Sequence, residues 1–293
     1  MATQPALGKI GIWTAALRVT DSLSAQQVGE AAAELEALGY GTIWFGGSPS
    51  ADQVVPLLDA TDRITVATGI LSIWDHEAAH VADRYAAIDA AHGGRFVLGL
   101  GVSHSALAGE RYKRPYSAMR EYLTALDSAP IPVPASRRIL AALGPKMLEL
   151  SRDRAAGAHP YLVTPEFTAE AREILGDGAL LAPELKVVLE PDLDRARTIA
   201  RDYLSMYLKL PNYTNNLLRL GFEEQDFADG GSERLLASVF ALGDVEAIRR
   251  RVDTFLEAGA DHLAVQVVTE NPFTSLPREE WRTLAEALPL GDS

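Results

Sequence analysis

The chain of 293 residues carries 27 Lys and Arg against 40 Asp and Glu, a formal net charge of −13. That balance argues against a nucleic-acid partner, because such binding depends on cationic contacts to phosphate. Cysteine is absent, which excludes disulfides, thiolate nucleophiles and Cys-ligated metals, and 47% hydrophobic with 23% charged residues is the composition of a folded chain rather than a disordered one.

Apolar runs of strand length alternate with helical patterns from end to end. The first run is Lys9-Ile10-Gly11-Ile12-Trp13. A helix over 24–38 follows, with Val28, Ala31, Ala32, Leu35 and Leu38 on one face and Gly39 as its stop. Strands are predicted at 42–45 and 65–71, a helix over 77–91, a strand at 95–101 and a helix near 116–126. Next come a strand at 138–143, a helix from Pro145, a strand at 158–163, a helix over 168–175 and a strand at 185–189. A long helix from Asp192, further helices across 212–240, a helix over 245–258 and a strand at 262–268 complete the series. Most strand candidates are continuous apolar runs, the pattern of parallel strands covered by helices on both faces. Eight such βα units predict a single-domain (β/α)8 TIM barrel over 1–293, with a helical insertion at about 210–240 before the last strand. The alternative is an open doubly wound sheet. Residues 1–9 show no charged stretch leading into an apolar run. No window reaches the ~20 apolar residues of a membrane span. The expectation is a cytoplasmic protein with no membrane partner.

In a barrel the site lies at the carboxyl ends of the strands. That rule selects Trp13, Thr14, Trp44, Gly46, Gly47, Ser48, Gly69, Ile70, Trp74, Gly101, Ser103, His104, Gly144, Lys146, His159, Tyr161, Thr164, Gln266 and Thr269. Tryptophan walls and glycine backbone suit a large flat ligand better than a sugar phosphate.

Six patterns within the chain can carry chemistry. His76-Glu77-Ala78-Ala79-His80 matches the H-E-x-x-H zinc pattern, but Asp83 and Ala86 stand where a longer form of the motif needs Gly and His. Residues 78–109 supply no Glu as third ligand, so no metal is expected. Gly99-Leu100-Gly101-Val102-Ser103-His104 starts as a dinucleotide fingerprint and breaks at His104. His104 and His159, at strand ends, can exchange a proton or polarise a carbonyl, or serve as hydrogen-bonded structural residues. Trp44 and Trp74 are either core or ligand wall. Arg111, Lys113, Arg114 and Lys146 follow strands and, if clustered, can hold phosphate or carboxylate. Thr164-Pro165-Glu166 is a helix start whose N–H groups can face a phosphate.

The run 83–103, Asp-Arg-Tyr-Ala-Ala-Ile-Asp-Ala-Ala-His-Gly-Gly-Arg-Phe-Val-Leu-Gly-Leu-Gly-Val-Ser, resembles the luciferase-like monooxygenase superfamily. So do Ala67-Thr68-Gly69-Ile70 before it and the pattern from Tyr112 and Pro115 through Met119-Arg120-Glu121-Tyr122-Leu123 after it. Gly144-Pro145-Lys146-Met147, residues 157–166 and Gly259-Ala260-Asp261-His262-Leu263-Ala264-Val265-Gln266 are similar to its branch of coenzyme F420-dependent oxidoreductases. The resemblance covers about residues 9–288.

It implies a TIM barrel with an insertion, a non-proline cis peptide at Gly69–Ile70, and a deazaflavin or flavin across the strand ends. Coenzyme F420 is the expected cofactor and FMN the alternative. The implied cofactor contacts are Trp44, Gly46, Gly47, Thr68, Gly69, Ile70, Gly101, Val102, Ser103, Gly144, Lys146, His159 and Thr164. Trp13, Trp74 and Tyr112 would touch substrate. Two departures stand out. Many deazaflavin-using relatives carry an acidic residue after strand two, where this chain has Gly46-Gly47-Ser48. Flavin-using relatives often carry Arg after the strand-four glycines, where Val102-Ser103 stands here. The implied reaction is hydride transfer between the deazaflavin and a small organic substrate, with His104 and then His159 as proton-handling residues. The alternatives are an FMN-dependent monooxygenase and a deazaflavin-binding protein without catalysis. Relatives are often dimers, so a homodimer is the expected assembly.

Overall fold

A computed structural model describes residues 4–272 and 274–291, so the first three residues of the N-terminal stretch lie outside it. The strands are β1 (Ile10–Thr14), β2 (Thr42–Phe45), β3 (Thr65–Thr68), β4 (Leu71–Ser72), β5 (Phe96–Gly101), β6 (Arg138–Leu140), β7 (Gly157–Ala158), β8 (Leu180–Leu181), β9 (Glu184–Leu189), β10 (Phe240–Gly243) and β11 (Leu263–Val267). The helices are α1 (Ala25–Ala37), α2 (Val55–Asp59), α3 (Ala78–His92), α4 (Ser105–Ala108), α5 (Pro115–Asp127), α6 (Pro145–Arg154), α7 (Pro165–Leu175), α8 (Leu193–Tyr207), α9 (Pro211–Arg219), α10 (Glu233–Val239), α11 (Val245–Glu257) and α12 (Arg278–Ala285).

All pairings are parallel, in the order β10-β9-β11-β1-β2-β3-β5-β6-β7-β8, with β4 on β5. The path closes on itself because β8 and β9 are two halves of one chain run across Ala182-Pro183. One edge of that run receives bonds toward β7 (Ala182 N–H to Ala158 O, 2.9 Å; Glu184 N–H to Pro160 O, 2.9 Å). The other edge meets β11 (Ala264 N–H to Pro183 O, 3.0 Å). Counting β3 with β4 and β8 with β9 as single staves, a TIM barrel of eight results. β10 is an extra strand on the far half of β9.

Strand periodicity sorts the side chains. Ile10, Ile12, Ile43, Phe45, Val66, Phe96, Leu98 and Val265 face the helices in the main core. The alternate positions Trp44, Ala67, Val97, Ile139 and Ala264 fill the interior, where small residues make room for the indole. Helix starts follow capping rules. Ser24 and Gln27 form a capping box on α1, and α3 ends on left-handed Gly93 (φ 62°). The insertion expected at 210–240 extends back through α8 in the structure: α8 through α10 share an apolar cluster around Tyr203, Leu204, Leu217, Leu235 and Phe240, seated on the carboxyl ends of β9 and β11 through Val188 and Val268.

The structure differs from the sequence expectation in several places, among them the strand expected at 138–143, which stops at Leu140. The run 65–71 is two strands, parted at the Gly69–Ile70 bond, which is cis. The strand expected over 158–163 stops at Ala158, because Leu162 turns left-handed (φ 56°) and buries among the insertion residues. β10 begins at Phe240, the last residue of the stretch read as helical, and has no counterpart among the expected strands; at four residues, directly after α10, it is too short to show a period. The helix expected over 168–175 begins at Pro165, with Thr164 as its cap. Among the described residues no helix is long and apolar enough to cross a membrane.

Candidate functional site

Three aromatic residues stack inside the barrel below its mouth. Trp44 Nε1–H donates to His262 Nε2 at 2.9 Å, and His262 Nδ1–H donates to Gly8 O at 2.8 Å. His159 lies flat on Trp44, ring centroids 4.0 Å apart and planes 10° apart, and its Nδ1–H donates to Ala182 O at 2.6 Å. A carbonyl only accepts, so both imidazoles carry the proton on Nδ1 and are neutral. Burial depresses His159 to about 3 and His262 to about 4. His159 Nε2 is left as a buried acceptor with no partner.

Above them, one half of the mouth is sealed. Glu184 and Lys186 alternate on β9, so both point inward; Lys186 Nζ sits 2.6 Å from Glu184 Oε2 and 3.7 Å from the centre of the Tyr161 ring. Burial works against both charges, raising Glu184 and lowering Lys186, while their contact opposes it. Over the pair, the Tyr161 hydroxyl lies 2.8 Å from Gln266 Oε1, 2.9 Å from Tyr207 OH and 3.2 Å from Tyr203 OH. Tyr203 and Tyr207 come from α8, so the insertion supplies the plug. Trp13 completes this side: its Nε1–H donates to Gly69 O at 3.1 Å, and its ring lies so close to Gly46 that a Cβ there would stand 2.3 Å from it.

The other half of the mouth, from β4 to β7, is less covered. Ile70, Trp74, Val102, Ser103, His104, Tyr112, Leu143 and Gly144 are half-buried there. Trp74 Nε1–H donates to Val102 O at 2.5 Å, and its ring packs on Tyr112 at 5.9 Å. His104 follows Ser103, whose backbone is left-handed (φ 53°), and its ring packs on Tyr213 at 4.8 Å. His104 Nδ1 is buried without a hydrogen-bond partner, and burial lowers the imidazole pKa. At the end of β6, Gly144 caps α6 with open space where a Cβ would stand, and Lys146 is exposed in the first turn.

The arc thus brings together Gly101, Val102, Ser103, His104, Gly144, Lys146, Ile70, Trp74 and Tyr112 of the residues expected from sequence. Others are buried or already held by other contacts. Trp44 is 0% exposed and occupied by His159 and His262. Thr164 is buried and caps α7, its hydroxyl accepting from Phe167 N–H. Thr68 Oγ1–H donates to Gly99 O at 2.7 Å, between strands. The carbonyls of Gly46 and Gly47 are held by Arg18 Nη2–H at 2.8 and 3.1 Å. Sequence reasoning missed Arg18, Glu184, Lys186, Tyr203, Tyr207, Asn212 and Tyr213. The spacing of Glu184 and Lys186 in an otherwise apolar strand was a usable signal, since period two places both on one face. His76 precedes α3, with Glu77 as its cap, so the helical spacing of the zinc pattern does not form. Among the described residues no group of three or more His, Asp or Glu is placed to hold a metal.

Solved structures share this architecture. An F420-dependent secondary alcohol dehydrogenase in complex with an F420–acetone adduct matches with TM-score 0.73 and 15% identity over 98% of this chain and 99% of that one. The coenzyme F420-dependent tetrahydromethanopterin reductase of Methanopyrus kandleri matches with TM-score 0.72 and 15% identity over 97% and 99%. The oxygenating constituent of 3,6-diketocamphane monooxygenase from Pseudomonas putida, a type II Baeyer–Villiger monooxygenase in complex with FMN, matches with TM-score 0.65 and 12% identity over 97% and 96%. At these identities the likeness shows the fold. No match was found among curated proteins. The model of the luciferase-like monooxygenase family matches residues 9–262, from β1 to the start of β11, so the chain is an enzyme and belongs to that family.

Proposed function

We propose that this enzyme transfers a hydride between the deazaflavin coenzyme F420 and a small organic substrate, at the open arc of the barrel mouth. The observation that carries the reading is His104: a neutral imidazole with an unpartnered, buried Nδ1, at the end of β5 and inside that arc. The residues present fit a flat ring with a phosphate tail. Ile70 and Val102 offer an apolar surface, with the Ile70 side chain lying over Gly101, Trp74 and Tyr112 wall it, and the α6 start has both open space at Gly144 and the Lys146 ammonium. When bound, the deazaflavin gives or takes two electrons as a hydride. The protein does the rest. Gly144 and Lys146 hold the tail, the α8–α9 insertion keeps water from the mouth, and His104 Nδ1 exchanges a proton with the substrate.

FMN is the second reading, and the FMN-bound neighbour favours it. The same arc and the same anchor at α6 would serve it. The deciding experiment is a fluorescence titration with coenzyme F420 and FMN side by side. Saturable binding of F420 at lower concentration than FMN, followed by turnover of a substrate, is the expected result. FMN binding with oxygen consumption and no F420 binding would reverse the order of the two readings.

A further inference from the structure

We infer that Asn212, on the helical insertion, is a positioning residue that fixes the Ser103–His104 turn and aims the His104 imidazole into the open arc. The inference rests on the role of His104 proposed above. Asn212 lies in the first turn of α9, and its Nδ2–H donates to Ser103 O at 3.0 Å. The same amide stands 3.3 Å from the Tyr112 hydroxyl, which ties it to the wall of the arc.

Ser103 has reason to need an anchor. Its φ of 53° is a conformation that a β-carbon disfavours, and such a residue persists only where its surroundings hold it. The neighbouring residue on α9, Tyr213, lays its ring on His104. Tyr213 is itself buried and packed on Tyr161 and Tyr207, so the sealed half of the mouth backs it. Two successive residues of α9 therefore grip two successive residues after β5: the amide takes the carbonyl of 103, and the phenol ring takes the imidazole of 104. Without the first contact, the turn is free to relax to negative φ, and the imidazole swings off Tyr213 toward solvent.

The test uses the full chain carrying Asn212→Ala. The His104 ring resonances, assigned by comparison with His104→Ala, are followed by NMR across pH in the protein without cofactor. The titration midpoint is expected to move up toward that of a free imidazole. With cofactor and substrate, kcat is expected to fall on the order of 10-fold, the scale of a misplaced catalytic group. Adding Ser103→Gly is expected to recover part of the loss, because glycine holds positive φ unaided. A His104 titration identical to the parent protein's would overturn the positioning role. If instead the titration moves while His104→Ala retains full turnover, the ring positioning stands and the proposed proton role of His104 fails.

Discussion

His104 and His159 both end strands of the barrel, yet their surroundings separate them. His159 is spent on Ala182 and Trp44 inside the barrel, whereas His104 is half-buried against Tyr213 with Nδ1 unpartnered. Replacing His104 by Ala is expected to lower turnover by about 10²-fold with cofactor affinity little changed, the usual scale for loss of a general acid or base. Steady-state kinetics beside a binding titration checks this, and unaltered turnover would remove His104 from the mechanism. The Glu184–Lys186 pair makes a second prediction at this scale. Lys186→Met leaves a buried carboxylate without its cation and is expected to cost about 3–5 kcal/mol in denaturant unfolding. The double change Glu184→Gln with Lys186→Met removes both charges and is expected to restore most of that stability.

At the scale of elements, the closest approach is between β3 and β5. A Cβ on Gly99 would stand 1.8 Å from the Thr68 carbonyl oxygen, and Thr68 Oγ1 also bonds the Gly99 carbonyl. Backbone has no flexible end to move aside, so Gly99→Ala must part the two staves just below the cis bond and the arc. The expected outcome is a loss of roughly 4 kcal/mol or more in stability, among the largest single-site effects. A thermal midpoint within 2–3 °C of the parent, a shift of about 1–2 kcal/mol, would refute it. Helix α7 carries a smaller wager. Thr164 caps it, so Thr164→Ala is expected to cost ~1 kcal/mol through the cap alone, whatever cofactor is present.

Over the whole molecule, the buried imidazoles set the acid limit of stability. His159 at about 3 and His262 at about 4 are held neutral by burial, below the ordinary imidazole value. A lowered folded-state pKa means that the unfolded chain binds protons first as pH falls. Stability is therefore full above about pH 6.5 and is lost progressively as pH drops from there through about 4 and then 3. At about 1.4 kcal/mol per pKa unit, the loss amounts to several kcal/mol. Urea midpoints measured between pH 7 and pH 4 are expected to fall steadily, and substituting His159 by an uncharged residue should flatten that slope. A flat profile in the parent protein would mean that neither imidazole is buried neutral.

The sequence alone determined most of the order of strands and helices, the barrel, the insertion and part of the set of residues at strand ends. These are local readings: apolar period, caps and glycines report which face each residue takes within its own element. Gly69–Ile70, Gly101, His104 and Gly144 could be placed at strand ends because strand ends are written in the chain itself. Tertiary structure decided which of those residues meet open space. Trp44 became core only because two residues far along the chain close on it, His159 on its face and His262 at its Nε1–H. Half of the mouth was sealed by tyrosines of α8, and His104 was gripped from α9. Contacts such as Asn212 to Ser103 join residues 109 positions apart, and no period in either segment encodes them. They arise when the barrel closes and the insertion folds over its rim, and a pattern that spans one element carries no information about the partner that will cover it.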